Sequence, residues 1–118
     1  MRLGITPKQG EIYLVPIPFS DLSSSKKRPV LILSPNDYND SQPDCLVMAI
    51  TSRIDPRNPY GVIFSERDVE GRLPKESQLR ADKIYSVHQN ILIHRFGSLS
   101  KERYRLAVSL LCQMVELK

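Results

Sequence analysis

The sequence predicts a small, mainly β protein, built as a strongly bent antiparallel sheet or partly closed barrel with one covering C-terminal helix. Three observations carry this reading. Short apolar runs bounded by Pro, Gly, Asn and Asp recur through most of the chain. The connections between them are too short to hold crossover helices, which leaves antiparallel pairing. After Ser100 the hydrophobic period changes from two residues to between three and four.

The first run, Glu11-Ile-Tyr-Leu-Val-Pro-Ile17, alternates at Ile12 and Leu14 behind Gly10 and reads as a strand. Pro16 and Pro18 lack backbone donors, so this strand is expected to end there or to lie on a sheet edge. Residues 20–27 are polar and rich in turn formers, which predicts a mobile loop. Arg28-Pro-Val-Leu-Ile-Leu-Ser34 and Cys45-Leu-Val-Met-Ala-Ile-Thr51 are too short for helices and too apolar to face water on one side. They are the expected central strands, joined through the turn residues Pro35-Asn-Asp37. Tyr60-Gly-Val-Ile-Phe64 supplies a fourth strand, Ser77-Gln-Leu-Arg80 a fifth, and either Lys83–Val87 or Ile91–Ile93 a sixth. Ser100 is a plausible N-cap with Glu102 in the first turn; beyond it Ala107, Leu110, Leu111, Met114 and Val115 share one helical face, expected to lie on the sheet.

Composition limits the functional classes. The 118 residues carry 17 Lys and Arg against 13 Asp and Glu, a net charge of +4, and the length suits one domain spanning the chain. The longest apolar run, Cys45–Ile50, is far shorter than the roughly 18 residues of a membrane span. The N-terminus has no apolar stretch of signal-peptide type, so the expected location is cytoplasmic, with no membrane association. Cys45 and Cys112 are expected as buried reduced thiols, and His88 and His94 have no zinc-type spacing around them. There is no phosphate-binding glycine loop and no Gly-x-Ser-x-Gly elbow. Lys26-Lys27-Arg28 and the cations from Arg53 to Lys83 make nucleic acid a fair partner, although interleaved acidic residues argue against a long phosphate-tracking groove.

What remains is a set of polar residues at strand ends: Arg28, Thr51-Ser52-Arg53, and Arg80-Ala-Asp82. On one rim of a barrel they would suit phosphoryl transfer. A guanidinium fork matches phosphate oxygens, a Thr hydroxyl adds a donor, and a carboxylate accepts a proton. RNA brings its own nucleophile, the 2′-OH, so such a site needs no metal. The plainer alternatives are a loop charge at Arg28, a self-bonded turn at Thr51-Ser52, and a solvated Arg80–Asp82 pair worth about 0–1 kcal/mol. Tyr13, Tyr60 and Tyr85 are read as packing residues.

Gly10-Glu-Ile-Tyr-Leu-Val-Pro-Ile-Pro-Phe-Ser-Asp21, Lys27-Arg-Pro-Val-Leu-Ile-Leu-Ser34, Ala49-Ile-Thr-Ser52, Gln78-Leu-Arg-Ala-Asp-Lys-Ile84 and Gly97-Ser-Leu-Ser100 follow one another in an order and spacing that resembles the MazF/PemK-like toxin endoribonucleases. The resemblance runs over residues 10–116. It implies an SH3-like, partly closed antiparallel barrel of the plasmid-maintenance-toxin type with a C-terminal α-helix. It also implies a homodimer, a small antitoxin protein as partner, and DNA binding as a complex with that antitoxin. The implied activity is cofactor-free and metal-free, sequence-selective cleavage of single-stranded RNA to 2′,3′-cyclic phosphate and 5′-hydroxyl ends.

By the same resemblance Arg28 holds the scissile phosphate and Thr51 bonds a phosphate oxygen, with Ser52 beside it. Arg80 and Asp82 match an Arg-x-Asp pair with acid and base roles. Glu11 matches an acidic residue that contacts or positions substrate in some members, and Lys27 and Arg53, cations beside these positions, join Glu11 and Ser52 as RNA-binding candidates. The loop before Arg28 lacks the His that some members carry there, so the proton acceptor is left among Asp82, Glu11 and the RNA's own surroundings. Two other functional classes fit the same chain: a CcdB-like inhibitor of DNA gyrase, and a nucleic-acid-binding barrel without turnover.

Overall fold

The computed structural model describes residues 6–16 and 27–118. The polar loop expected over residues 20–27 lies almost wholly outside them. Seven strands form one antiparallel, curled half-barrel sheet in the order β4-β6-β3-β2-β1-β7-β5. In chain order they are β1 (Glu11–Val15), β2 (Arg28–Ile32), β3 (Asp44–Thr51), β4 (Gly61–Phe64), β5 (Val69–Gly71), β6 (Ser77–His88) and β7 (His94–Leu99). A short helix α1 (Asn36–Ser41) links β2 to β3, and α2 (Lys101–Val115) closes the chain. Among the described residues no helix is long and apolar enough to cross a membrane.

The sheet is buried on both faces, which explains the uninterrupted apolar runs in β2 and β3. Successive strand side chains point to opposite faces. On one face Ile12, Leu31, Met48, Ile50, Val62, Phe64 and Leu79 pack together beneath α2, whose Ala107 is fully buried among them. On the other face Tyr13, Val15, Val30, Ile32, Cys45, Val47 and Val87 form a second cluster, flanked by Tyr85, Ile91 and Leu92. The three tyrosines expected to pack do so, Tyr60 against the first cluster.

Four expectations are corrected. The fifth and sixth strands are one 12-residue strand, β6, and Ile91 ends a 3-10 turn over Gln89–Ile91. β6 changes register midway: Met48 pairs with Ile84 and Ala49 with Arg80, so Ala81, Asp82 and Lys83 oppose no residue of β3. That bulge interrupts the alternation, so the sequence reads as two strands. The linker after β2 contains α1, whose six residues show no apolar period; it is held by the buried Asn39, which donates to the carbonyls of Pro7 and Ser34. Cys112 is exposed, not buried. On α2, Ala107, Leu110 and Leu111 meet the core, whereas Met114 and Val115 are 39% and 72% exposed because the last turn has run past the sheet. The strands β5 and β7 were not anticipated; both are short, and their paired Gly71 and Gly97 approach too closely for any side chain.

The predicted N-cap is in place, with the Ser100 hydroxyl accepting from the Arg103 amide at 3.3 Å. Phe64, 1% exposed, sits where β4 meets the cluster under α2. Phe64→Ala is expected to lower unfolding stability by about 3–5 kcal/mol in a urea titration, because the vacated volume cannot fully collapse.

Candidate functional site

Strand register brings three predicted residues to one place. Arg28 opens β2 and pairs with Val15. Val30 pairs with Ala49, and extending that antiparallel register by two residues sets Arg28 opposite Thr51. On the other side of β3, Ala49 pairs with Arg80 and Thr51 with Gln78. Paired residues share a face, so Arg28, Thr51 and Arg80 lie across β2, β3 and β6 on the face turned away from α2. Cross-strand and diagonal neighbours of this kind are about 5–8 Å apart.

The bulge in β6 places Asp82 beside Arg80. Arg80 donates from Nε to Asp82 Oδ1 at 2.9 Å and from Nη2 to Oδ2 at 2.7 Å, a two-point ion pair. The hydrogen bonds from Arg80 hold the Asp82 carboxyl below the usual carboxylate range against an opposing effect of burial. The reciprocal bond raises the Arg80 guanidinium, and the charges of Tyr85 and Asp55 add to it. With side-chain exposures of 31% and 25%, the pair is open enough to meet a substrate. Two donor positions of Arg80 are committed to Asp82, and the rest of its fork bonds nothing among the described residues.

Thr51 ends β3 and caps its own turn, its Oγ1 accepting from the Arg53 amide at 3.0 Å. The self-bonded turn and the phosphate donor are therefore compatible. A hydroxyl has one hydrogen and two acceptor sites, and this one's O–H donates to nothing among the described residues. Lys27, Ser52 and Arg53 are exposed next to these positions.

Glu11 is not brought to this group. It stands at the far end of β1 from Arg28's partner Val15, about 13 Å away at 3.3 Å per residue. Its side chain accepts from the Lys8 amide at 2.7 Å and pairs with Arg95, which also donates to Ser98 Oγ at 3.2 Å. Burial, and then this carboxylate, push the neighbouring Tyr13 hydroxyl upward. His88 and His94 are exposed, with His94 edge-on to Phe96.

Sequence reasoning gave no role to Gln78. It is 1% exposed and bonds the loop between β3 and β4, where its Oε1 accepts from the Asp55 amide and its Nε2 donates to the Asp55 carbonyl, both at 2.9 Å. The available signal was an amide flanked by Ser77 and Leu79 in an expected strand, at a position that has to bury its polar atoms. A cleft of about 590 Å³ opens at the β4 edge, lined by Asn58, Ile63, Gln78, Arg67, Arg103 and Leu106. None of Arg28, Thr51, Arg80 or Asp82 lines it.

The comparisons agree with this architecture. The family model described as PemK-like, MazF-like toxin of type II toxin-antitoxin system matches residues 8–115. No curated protein matches the sequence. Among solved structures, an endoribonuclease in complex with its cognate antitoxin from a Mycobacterial species is similar at 20% identity and a TM-score of 0.77, covering 95% of this chain and 97% of that one. The Mycobacterium tuberculosis toxin MazF-mt6 is similar at 18% identity and a TM-score of 0.73, with 92% and 98% covered. A MazE–MazF complex from Deinococcus radiodurans is similar at 17% identity and a TM-score of 0.75, with 98% and 100% covered. The match over nearly the whole length makes this chain a member of the PemK-like, MazF-like toxins of type II toxin-antitoxin systems.

Proposed function

We propose that this toxin is an endoribonuclease that cuts single-stranded RNA at preferred short sequences, using the RNA's own 2′-hydroxyl as nucleophile. The observation that supports it most is the convergence of Arg28, Thr51 and Arg80 across three neighbouring strands. Structural neighbours described as endoribonucleases support the same class.

In the proposed reaction the 2′-oxygen loses its proton and bonds to the adjacent phosphorus. The bond from phosphorus to the 5′-oxygen breaks, and that oxygen takes a proton from water. The products are a 2′,3′-cyclic phosphate and a 5′-hydroxyl. Negative charge grows on the non-bridging oxygens, where the Arg28 and Arg80 cations and the Thr51 hydroxyl would stabilise it. Asp82 aims the Arg80 fork. It is ionised at neutral pH and so in the form that accepts the 2′ proton, but a carboxylate lowered by its partner is a weak base. The larger share of the acceleration is therefore assigned to charge stabilisation. Lys27, Ser52 and Arg53 would bind flanking RNA, while Glu11 would act at a distance through the Arg95 pairing.

A small antitoxin protein is the proposed inhibitor, as antitoxin complexes of the neighbours suggest. The exposed Leu106, Met114, Val115 and Leu117 offer apolar surface for a homodimer. A cytoplasmic location, where mRNA is available, completes the reading.

Purified protein incubated with mRNA in excess EDTA is expected to cleave it. Arg28→Ala and Thr51→Ala should each slow cleavage by about a hundredfold or more, the usual effect of removing one charge-stabilising donor, with Thr51→Ser retaining most activity. Intact RNA with the wild type, or unchanged rates in both alanine variants, would refute the assignment; gyrase inhibition with intact RNA would favour the CcdB-like class.

The Arg80–Asp82 pair also has a pH signature. Because Asp82 titrates below its unfolded value, the stability it contributes is fully present above about pH 4 and is lost as pH falls through the lower folded value. Wild type and Asp82→Asn, compared by urea unfolding, are expected to differ at neutral pH and to converge in strong acid. A constant difference would contradict the pairing.

A further inference from the structure

The loop between β3 and β4, residues 52–60, leaves the site directly after Thr51 and is fixed at each turn. Asp55 Oδ1 accepts from the Arg57 amide at 3.0 Å, the Asp55 carbonyl accepts from the Asn58 amide at 3.1 Å, and Asn58 Oδ1 accepts from the Tyr60 amide at 2.9 Å. Pro56 and Pro59 restrict its backbone further. Its anchor is the buried Gln78 amide, which takes both the N–H and the C=O of Asp55 at 2.9 Å. Only one orientation of that amide satisfies both partners. A buried amide is costly unless both ends are bonded, so the loop and Gln78 stabilise each other. The fit has no slack on the other side, because a side chain at Gly61 would collide with Gln78 Nε2.

What the anchored loop carries is charge. Arg53 and Arg57 are exposed on it, two and six residues beyond Thr51, and Asp55 lies near enough to act on the Arg80 guanidinium. A free loop would lose conformational entropy each time it ordered around a substrate, whereas an anchored one presents its cations in advance.

We propose that Gln78 is a positioning residue for RNA. By clamping Asp55 it holds Arg53 and Arg57 as fixed cations that engage the phosphates flanking the scissile bond, and so contributes to which stretch of RNA is held in the site. This rests on the RNA-cleaving reading above.

The test compares wild type, Gln78→Leu and Gly61→Ala, the second of which displaces the amide without altering Gln78 itself. Cleavage is measured on a diribonucleotide containing only the scissile phosphodiester and on an RNA oligonucleotide extending several nucleotides to each side. Hydrogen exchange of the Asp55 and Asn58 amides is followed in parallel. Both variants are expected to speed that exchange and to raise KM for the oligonucleotide by about tenfold, the size of one lost hydrogen bond to a charged group. Their diribonucleotide kcat/KM should fall by far less than their oligonucleotide kcat/KM.

Equal losses on both substrates would assign Gln78 to stability alone, and an unchanged oligonucleotide KM despite faster exchange would also overturn the proposal. If the wild type cuts neither RNA, the nuclease reading fails and the clamp is read from oligonucleotide binding at increasing salt. Variants with weaker binding and a shallower salt dependence would then support it, and variants matching the wild type would overturn it.

Discussion

The register shift in β6 is the constraint on which the candidate site depends. Had β3 and β6 paired without interruption from Asp44–His88 onward, Ala49 would face Lys83 and Thr51 would face Ala81. Skipping Ala81, Asp82 and Lys83 brings Arg80 alongside Ala49 and Gln78 alongside Thr51. The same three residues deliver Asp82 to its two-point bond with Arg80, while Ala81 turns inward to the core and its amide bonds the Tyr60 carbonyl at 3.0 Å. One irregularity thus sets Arg80 beside Ala49, gives it the Asp82 carboxylate as its partner and supplies an attachment for the end of the loop between β3 and β4. Bulges next to active sites commonly redirect side chains in this way.

The two faces of the sheet divide the work. The face under α2 buries most of the large apolar residues and carries the stability; the other has a smaller apolar cluster bordered by charge. At one border stand Arg28, the Thr51 hydroxyl and the ion pair of Arg80 with Asp82, and at the other Glu11 pairs with Arg95. The net charge of +4 is therefore less informative than which charged groups stand together at each border. In the proposed reaction, a dianionic phosphorane at the first border would meet an Arg80 guanidinium already oriented by Asp82.

Much of this was legible in the sequence, for identifiable reasons. β2 and β3 were readable because burial on both faces leaves an apolar run with no polar alternation, and α2 because Ser100 caps a clear helical period. Arg28 and Thr51 were readable as polar ends of those runs. The junction of β6 was not, since a bulge erases the period that would have joined Arg80 to Lys83. α1 escaped notice because its stability comes from Asn39 contacts with Pro7 and Ser34, which no local pattern encodes. Gln78 was visible as a residue but silent as a role, for its partner Asp55 lies 23 positions away. Glu11 shows the converse: its place in a family-like motif is plain, yet its bonds tie it to Lys8 and Arg95.

The central claim is that the RNA's own 2′-oxygen attacks the phosphorus held by Arg28, Thr51 and Arg80. The most direct test is an RNA oligonucleotide containing one cleavage site, in which only the nucleotide 5′ to the scissile phosphate carries hydrogen in place of the 2′-hydroxyl. The unmodified RNA is expected to yield a 2′,3′-cyclic phosphate and a 5′-hydroxyl by mass spectrometry, and the 2′-deoxy version to remain intact at that site. Cleavage of the 2′-deoxy RNA at an undiminished rate, or products ending in a 5′-phosphate, would contradict it.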